Sequence, residues 1–134
     1  MSTLYLDASA ITKLVISESE TAELQADVSK QALITSRVAV VEVGKAVARS
    51  NPDADAQPVL SRFAFVEIDA ELAQLAAATG TPELRSLDAI HLASALQLGG
   101  VVAAFVTYDD RQAAAARELG FSVRSPGQGS RTQG

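Results

Sequence analysis

Cysteine and tryptophan are absent from this chain of 134 residues, and histidine occurs once. Without cysteine the protein can form no disulfide bond, no thiolate nucleophile and no cysteine-bound zinc site, and it suits a reducing cytoplasm. A zinc site would need His91 together with carboxylates. A site built of carboxylates alone would instead favour hard cations such as Mg²⁺ or Mn²⁺.

Positive charge and aromatic side chains are also scarce. Eleven lysine and arginine residues face sixteen aspartate and glutamate residues, which gives a net charge of -5. This balance speaks against a protein that holds nucleic acid through a broad basic face. A nuclease whose metal ions neutralise phosphate locally stays open, because bound cations are often the largest charges in a site. With only four phenylalanines and two tyrosines, an aromatic platform for stacking bases is poorly supported.

Long apolar runs are missing as well. No uncharged run approaches the roughly 18 residues that a membrane-spanning helix requires, and the first residues carry no basic leader. We therefore expect a soluble, cytoplasmic protein that does not associate with a membrane. The length and the 48% share of hydrophobic residues indicate one domain with its own core, which we place at residues 1–125. Residues 126–134 are predicted to form a disordered tail.

Short apolar runs alternate with helical patterns along the chain. The predicted strands are residues 4–6, 32–35, 64–68, 101–107 and 121–123. The predicted helices are residues 11–28 in two segments, 37–49, 70–78, 86–98 and 111–119. Gly99, Gly100 and Gly120 mark two helix ends. This alternation predicts an α/β fold with a central, mostly parallel five-stranded sheet flanked by helices on both faces.

Two aspartates directly follow predicted strands. Asp7 comes after the first strand, and Asp109 follows the strand that ends near Thr107. If these strands are neighbours where the strand order reverses, both carboxylates face one crevice at the ligand-binding edge of the sheet. The alternative for each aspartate alone is a helix cap, a position that aspartate strongly favours.

Two further acids lie within predicted helices. Glu42 has mostly apolar neighbours three and four positions away, and a carboxylate on such a surface is costly unless it is paired or binds a metal. A local ion pair with Lys45 is the alternative. Asp88 lies in a first helical turn, where the helix dipole favours negative charge in any case. His91, one turn further along, is best explained as a core histidine.

Four segments of the sequence together resemble the signature blocks of VapC-type PIN domains, in the same order and spacing. They are residues 5–10 (YLDASA), residues 35–43 from Thr35-Ser36 to Val41-Glu-Val43, residues 84–96 (LRSLDAIHLASAL) and residues 105–109 (FVTYD). The resemblance spans residues 3 to 127, and the LDAIHLA block is its most specific part.

The resemblance implies a PIN-like fold whose acids gather at one end of the parallel sheet. It assigns Asp7, Glu42, Asp88 and Asp109 as the catalytic, metal-binding residues. Ser9 and Thr107 become hydroxyls that support the site or hold water, and His91 keeps a structural role. Asp110 is treated as peripheral. Gln112 stands where many relatives carry leucine, which we interpret as a minor packing difference.

The activity implied by the resemblance is Mg²⁺- or Mn²⁺-dependent hydrolysis of RNA by an endoribonuclease, the toxin of a toxin-antitoxin pair. Single-stranded or looped RNA is the expected substrate, because its bases are exposed. The implied partners are a VapB-type antitoxin, which would insert an arginine among the acids, and a second copy of the chain in a homodimer. Four cations that lie close in sequence to an acidic block are candidates for holding substrate phosphates: Lys13, Arg37, Arg85 and Arg111.

Two other functions remain open at this point. A doubly wound phosphatase or phosphotransfer domain also places an aspartate after its first strand. Such phosphatases need a second aspartate two residues later, where this chain has Ser9, and receiver-type domains need a lysine after the final strands, which is missing here. The second alternative is a catalytically silent PIN-like module that uses its acids only to bind a basic partner.

Overall fold

The computed structural model describes residues 1–128, which form five strands, seven α-helices and one 3-10 turn. The strands are β1 (Thr3–Leu6), β2 (Ala32–Ser36), β3 (Phe63–Val66), β4 (Val102–Val106) and β5 (Val123–Arg124). The helices are α1 (Ala8–Val15), α2 (Thr21–Val28), α3 (Val38–Ser50), α4 (Gln57–Leu60), α5 (Ala70–Ala77), α6 (Ser86–Gln97) and α7 (Asp110–Glu118), with the 3-10 turn at Gly99–Val101.

The five strands form a single sheet in the order β3-β2-β1-β4-β5, and every neighbouring pair is parallel. From β1 the chain builds one half of the sheet through β2 and β3, and then crosses to β4 and β5 on the other side. The strand order therefore reverses between β1 and β4, which are hydrogen-bonded neighbours. This confirms the predicted α/β fold, and the carboxyl ends of β1 and β4 flank the crevice where such folds bind ligands.

Helices cover both faces of the sheet, as the alternation of side chains along β1 shows. Leu4 and Leu6 are fully buried on one face, in a cluster that includes Ile11 of α1 and Val43 of α3. Tyr5 points to the opposite face, where it packs with residues of β4, α6 and α7. Burial on both faces explains why the strands read as short, continuous apolar runs.

The predicted glycine stops are confirmed at two helix ends. Gly99 and Gly120 both have positive φ angles, 58° and 95°, a conformation that residues with a Cβ adopt only at a cost. After α7 the amide of Gly120 donates to the Arg117 carbonyl and that of Phe121 donates to the Ala116 carbonyl, so the turn satisfies carbonyls that the helix leaves free.

Two elements differ from the prediction. The short helix α4 lies in a segment for which no element was predicted, and it has proline in its first turn, where proline costs no hydrogen bond. The last strand lies at Val123–Arg124 instead of residues 121–123. Phe121 is used for packing against the core beside β4, and the ladder begins where Val123 pairs with Phe105.

Residues 125–128 lie against the carboxyl end of the sheet. The Ser125 hydroxyl donates to the Thr107 carbonyl at 2.6 Å, and the Tyr108 hydroxyl donates to the Pro126 carbonyl at 2.7 Å. The first three residues of the predicted tail therefore belong to the described part of the chain, and residues 129–134 lie outside it. Among residues 1–128, no helix has the length and apolar character needed to cross a membrane.

Candidate active site

The reversal of strand order brings four acids from four separate segments to one cavity of about 310 Å³. Asp7 follows β1, Asp109 follows β4, Glu42 comes from α3 and Asp88 from α6. We call this the acidic cavity. Its lining also includes Ser9, Arg85 and His91.

Asp7 lies at the bottom of the acidic cavity, with 4% of its surface exposed. The Ser9 hydroxyl donates to Oδ1 at 2.6 Å, and the Thr107 hydroxyl donates to Oδ2 at 2.5 Å. The amide of Ala10 also donates to Oδ1, at 3.2 Å, so Asp7 caps α1 while it lines the cavity. The cap predicted as an alternative to a site role is therefore present together with the cavity position.

The two hydroxyls that hold Asp7 also join the ends of β1 and β4. Ser9 accepts from the backbone amide of Tyr108 at 2.9 Å, and Thr107 accepts from that of Asp109 at 3.1 Å. The hydroxyl oxygens lie 3.4 Å apart. Because each hydroxyl has one donor position and two acceptor positions, both use their donor on the Asp7 carboxylate.

Burial raises the pKa of Asp7, because a charged carboxylate loses its hydration there. Attraction to His91 and the hydrogen bonds from Ser9, Thr107 and Ala10 act in the opposite direction and lower the pKa of Asp7. The hydrogen bonds therefore offset the burial only in part. A cation beside this carboxylate would favour its charged form.

Asp88 and Asp109 share one cation at the mouth of the cavity. The Arg85 Nε donates to Asp88 Oδ2 and the Arg85 Nη2 donates to Asp109 Oδ2, both at 3.0 Å. The other oxygen of Asp109 caps α7 by accepting from the amides of Arg111 and Gln112. The Arg85 side chain is 58% exposed, so this bridge is open to solvent and to competing ions.

Glu42 of α3 is held by a histidine of α6. Its Oε1 lies 2.7 Å from Nε2 of His91, and the other ring nitrogen, Nδ1, lies 2.7 Å from the Tyr5 hydroxyl. The ion pair of Glu42 with Lys45, which the sequence left as an alternative, is therefore wrong. His91 is buried, as a core histidine would be, but it also contacts the site. Its spacing of three residues from Asp88 on α6 was the signal that could have revealed this.

The predicted phosphate-binding cations are only partly brought to this region. Arg85 lines the acidic cavity. Lys13 lines an adjoining groove of about 660 Å³, where it pairs with Glu18 and Glu20. Arg111 lines neither, although its backbone amide donates to Asp109.

The structure does not bring Arg37, one of the four cations predicted to hold phosphates, to the acidic cavity. Its guanidinium forms two hydrogen bonds with Glu67, at 3.0 and 2.6 Å, and lies over the ring of Phe65. Although Arg37 is close in sequence to an acidic block, its side chain extends toward β3, where a carboxylate and an aromatic ring hold it.

The adjoining groove contains two cations that the sequence reasoning missed. Lys45 and Arg49 of α3 line it, and it shares Glu42 and Ser9 with the acidic cavity. We call it the basic groove. Within residues 1–128, neither Lys45 nor Arg49 has a carboxylate within 4.0 Å. Their positions three and seven residues after Glu42 place all three on one face of α3, a signal that the sequence did contain.

In this arrangement the acids of the cavity surround a shared space without converging on one point. Among residues 1–128, no three aspartate, glutamate or histidine side chains come close enough together to coordinate a single ion. Two of the acids are instead drawn toward Arg85. The cavity thus already contains one bound cation, supplied by the chain itself.

Comparison with known proteins agrees with this geometry. A family model described as the PIN domain matches residues 4–118. The chain is 40% identical over 132 residues to Ribonuclease VapC47 of Mycobacterium tuberculosis (strain CDC 1551 / Oshkosh), covering 92% of this chain and 97% of that protein. It is 42% identical to Ribonuclease VapC35 of the strain ATCC 25618 / H37Rv, covering 93% and 98%. Ribonuclease VapC46 of the same strain is 36% identical, covering 94% and 99%. The chain belongs to the PIN domain family.

Proposed function

We propose that this protein is a divalent-metal-dependent endoribonuclease of the VapC type, which hydrolyses RNA phosphodiester bonds in the acidic cavity. The observation that carries the proposal is that Asp7, Glu42, Asp88 and Asp109 line one cavity at the reversal of strand order. The relatives named as ribonucleases support it, since they match this chain over almost its whole length. Membership of the PIN family removes the phosphatase and phosphotransfer alternative.

The donor set of the cavity fits Mg²⁺ or Mn²⁺. It consists of carboxylate oxygens with hydroxyls behind them, and the chain has no cysteine. Two carboxylates about 4 Å apart repel by about 4 kcal/mol at an effective dielectric of about 20, so the cluster needs a cation. Arg85 supplies one between Asp88 and Asp109. We propose that the metal is held by Asp7, Glu42, Asp88 and Asp109.

When bound, the metal would lower the pKa of a water molecule and stabilise charge on the leaving oxygen. The chain itself contributes orientation. Ser9 and Thr107 fix the plane of the Asp7 carboxylate. Asp88 and Asp109 can turn toward the cavity once they release Arg85. The released guanidinium is then free to hold a substrate phosphate, the role predicted for it.

The RNA strand is proposed to reach the cavity along the basic groove. Lys45 and Arg49 have no carboxylate partner in the described residues and line the groove beside Glu42, so they are the best placed to bind phosphates on one side of the cleaved bond. Lys13 is a weaker candidate because two glutamates already neutralise it. The shortage of aromatic side chains favours recognition through the backbone and shape of the RNA.

The biological setting is inferred from the same similarity to VapC ribonucleases. We propose a cytoplasmic toxin silenced by a VapB-type antitoxin, with a homodimer as the active form. An antitoxin arginine would act on Asp88 and Asp109 as Arg85 does within the chain, which explains how a partner could occupy the acids without denaturing the site.

RNA cleavage by the purified, partner-free protein tests the proposal. Wild type is expected to cut single-stranded RNA with Mg²⁺ or Mn²⁺ and to stop when the metal is chelated. Cleavage that persists after chelation would contradict a metal-dependent mechanism. Absence of cleavage by folded, metal-loaded protein would instead favour the silent binding module.

A further inference from the structure

Two buried side chains beside the acidic cavity have no role in the proposed catalysis. His91 is 2% exposed and Tyr5 is fully buried, yet both place polar atoms in a row that ends on Glu42. The Tyr5 hydroxyl, the His91 ring and Glu42 Oε1 are joined by two contacts of 2.7 Å. A buried chain of polar groups persists only when its members satisfy one another.

The hydrogen-bonding requirements fix the direction of this row. A carboxylate only accepts, so Nε2 of His91 must carry the hydrogen that faces Glu42. In a neutral imidazole the other nitrogen then accepts, and the Tyr5 hydroxyl is there to donate to it.

These hydrogen bonds distinguish the two carboxylate oxygens of Glu42. Oε1 is occupied by His91, while Oε2 accepts no hydrogen bond from the described residues. Glu42 lines both the acidic cavity and the basic groove, so an unrestrained glutamate there could turn toward Lys45 or Arg49. The imidazole restrains the carboxylate at the cavity.

We propose that His91 is a positioning residue for Glu42, holding Oε1 so that Oε2 is presented to the metal in the acidic cavity, with Tyr5 fixing the tautomer of the imidazole. The inference rests on the proposed metal-dependent function of this cavity. It gives the buried histidine a role beyond core packing, which was the role expected from the sequence.

Calorimetric titration with Mn²⁺ alone measures this role without relying on activity. We expect His91→Leu to weaken Mn²⁺ binding by about 10- to 100-fold, the usual loss when a partner that orients a ligand is removed. His91→Gln places an amide N–H near the position of Nε2 and should restore binding to within a few-fold of wild type. Val28→Ala, which removes buried volume on α2, controls for a general loss of stability and should leave the Mn²⁺ affinity unchanged.

A double-mutant cycle separates positioning from packing. If His91 acts through Glu42, His91→Leu should cause little further loss of Mn²⁺ affinity in a Glu42→Gln background. Additive losses, or folded His91→Leu with wild-type affinity, would overturn the positioning role while leaving the ribonuclease proposal intact. Should His91→Leu not fold, Tyr5→Phe keeps the ring and enters the same cycle. Wild type that binds no Mn²⁺ would overturn the metal-dependent function, and the positioning role with it.

Discussion

The two halves of the acidic cavity are held in different ways. Asp7 and Glu42 are fixed by hydrogen bonds from the Ser9 and Thr107 hydroxyls and from the His91 imidazole, and these contacts are buried or half-buried. Asp88 and Asp109 are held by a single guanidinium whose side chain is 58% exposed. The first pair is therefore an oriented half that keeps its geometry, and the second is an exchangeable half whose cation can be replaced.

Under the proposed function, this difference indicates how one cavity can be prepared both for a metal ion and for a silencing partner. Buried neutral hydrogen bonds orient a carboxylate without neutralising it, so its charge remains available. An exposed ion pair contributes about 0–1 kcal/mol, so it is given up readily. The oriented half is then expected to determine metal affinity, while the exchangeable half is open to competition by any cation.

Asp7→Asn removes the central charge of the oriented half and should give the largest effect. The amide keeps the shape of the carboxylate, so we expect a folded protein whose RNA cleavage falls by at least about 100-fold, more than the loss typical of an outer contact. Because burial raises the pKa of Asp7, its charge is costly in the metal-free fold, and the variant should melt at an equal or higher temperature without metal.

Asp69→Asn is the matched control for that experiment. Asp69 caps α5 by accepting from the Leu72 amide at 2.8 Å, as Asp7 accepts from Ala10, but it lies outside the acidic cavity. The Asp69→Asn variant should leave RNA cleavage unchanged. Equal activity of Asp7→Asn and Asp69→Asn would reduce Asp7 to a helix cap.

Thr107→Val tests whether a neutral donor matters to the oriented half. It removes the hydrogen bond to Asp7 Oδ2 with almost no change in volume, and Mn²⁺ binding should weaken by about 10- to 100-fold. Thr79→Val is the control, because Thr79 donates to the Leu75 carbonyl away from the cavity. Calorimetry that shows the same Mn²⁺ affinity for both variants would contradict the distinction between the halves.

Arg85→Gln tests the exchangeable half, and its effect should have the opposite sign. Removing the competing cation from Asp88 and Asp109 should tighten Mn²⁺ binding by up to about fivefold, the equivalent of an exposed pair contributing about 1 kcal/mol. Arg37→Gln, which breaks a similarly exposed pair with Glu67, should leave the affinity unchanged. Weaker Mn²⁺ binding in Arg85→Gln would show that Arg85 organises the acids instead of competing for them.

Local patterns in the sequence predicted the sheet, and the resemblance to VapC-type PIN domains predicted that the four acids lie together at one end of it. Asp7 and Asp109 are marked by the strands that precede them, and parallel pairing then brings them together. Neighbouring residues alone left two interpretations for each aspartate, a helix cap or a site residue. The structure shows that each aspartate caps a helix and also lines the cavity. A cap aspartate at a strand end is already oriented toward the crevice.

The ion-pair partners of Glu42 and Arg37 could not be predicted from neighbouring residues. Glu42 is paired with His91, 49 residues away, instead of Lys45. Arg37 is paired with Glu67, 30 residues away. Both pairs join segments that are far apart in sequence, α3 with α6 and the start of α3 with the end of β3, and short-range spacing does not encode such contacts.

Lys45 and Arg49 offer a test of whether the oriented half continues into the basic groove. Replacing both by glutamine should raise KM for single-stranded RNA by about fivefold for each lost contact, with kcat nearly unchanged, if each exposed contact contributes about 1 kcal/mol. The slope of log affinity against log salt concentration should fall by about 0.7 for each phosphate contact.

The control is the double variant Lys30→Gln with Arg62→Gln, which replaces two exposed cations that do not line the groove. It should change neither KM nor the salt slope. An unchanged KM and salt slope in the Lys45 and Arg49 variant would exclude the groove as the RNA path.

Gln112 contacts the backbone of Asp88 in the exchangeable half, and replacing it should have the smallest effect of these variants. It is fully buried; its Nε2 reaches the Asp88 carbonyl only at 3.4 Å, and its Oε1 has no hydrogen-bond partner among residues 1–128. An unsatisfied buried acceptor costs at least about 1 kcal/mol, so Gln112→Leu should raise the melting temperature by about 4 °C. Gln97→Leu, an exposed change on α6, should alter stability by less than about 0.5 kcal/mol. A lower melting temperature in Gln112→Leu would mean that the weak bond to Asp88 supports that half, and the exchangeable half would then owe its position to the core as well as to Arg85.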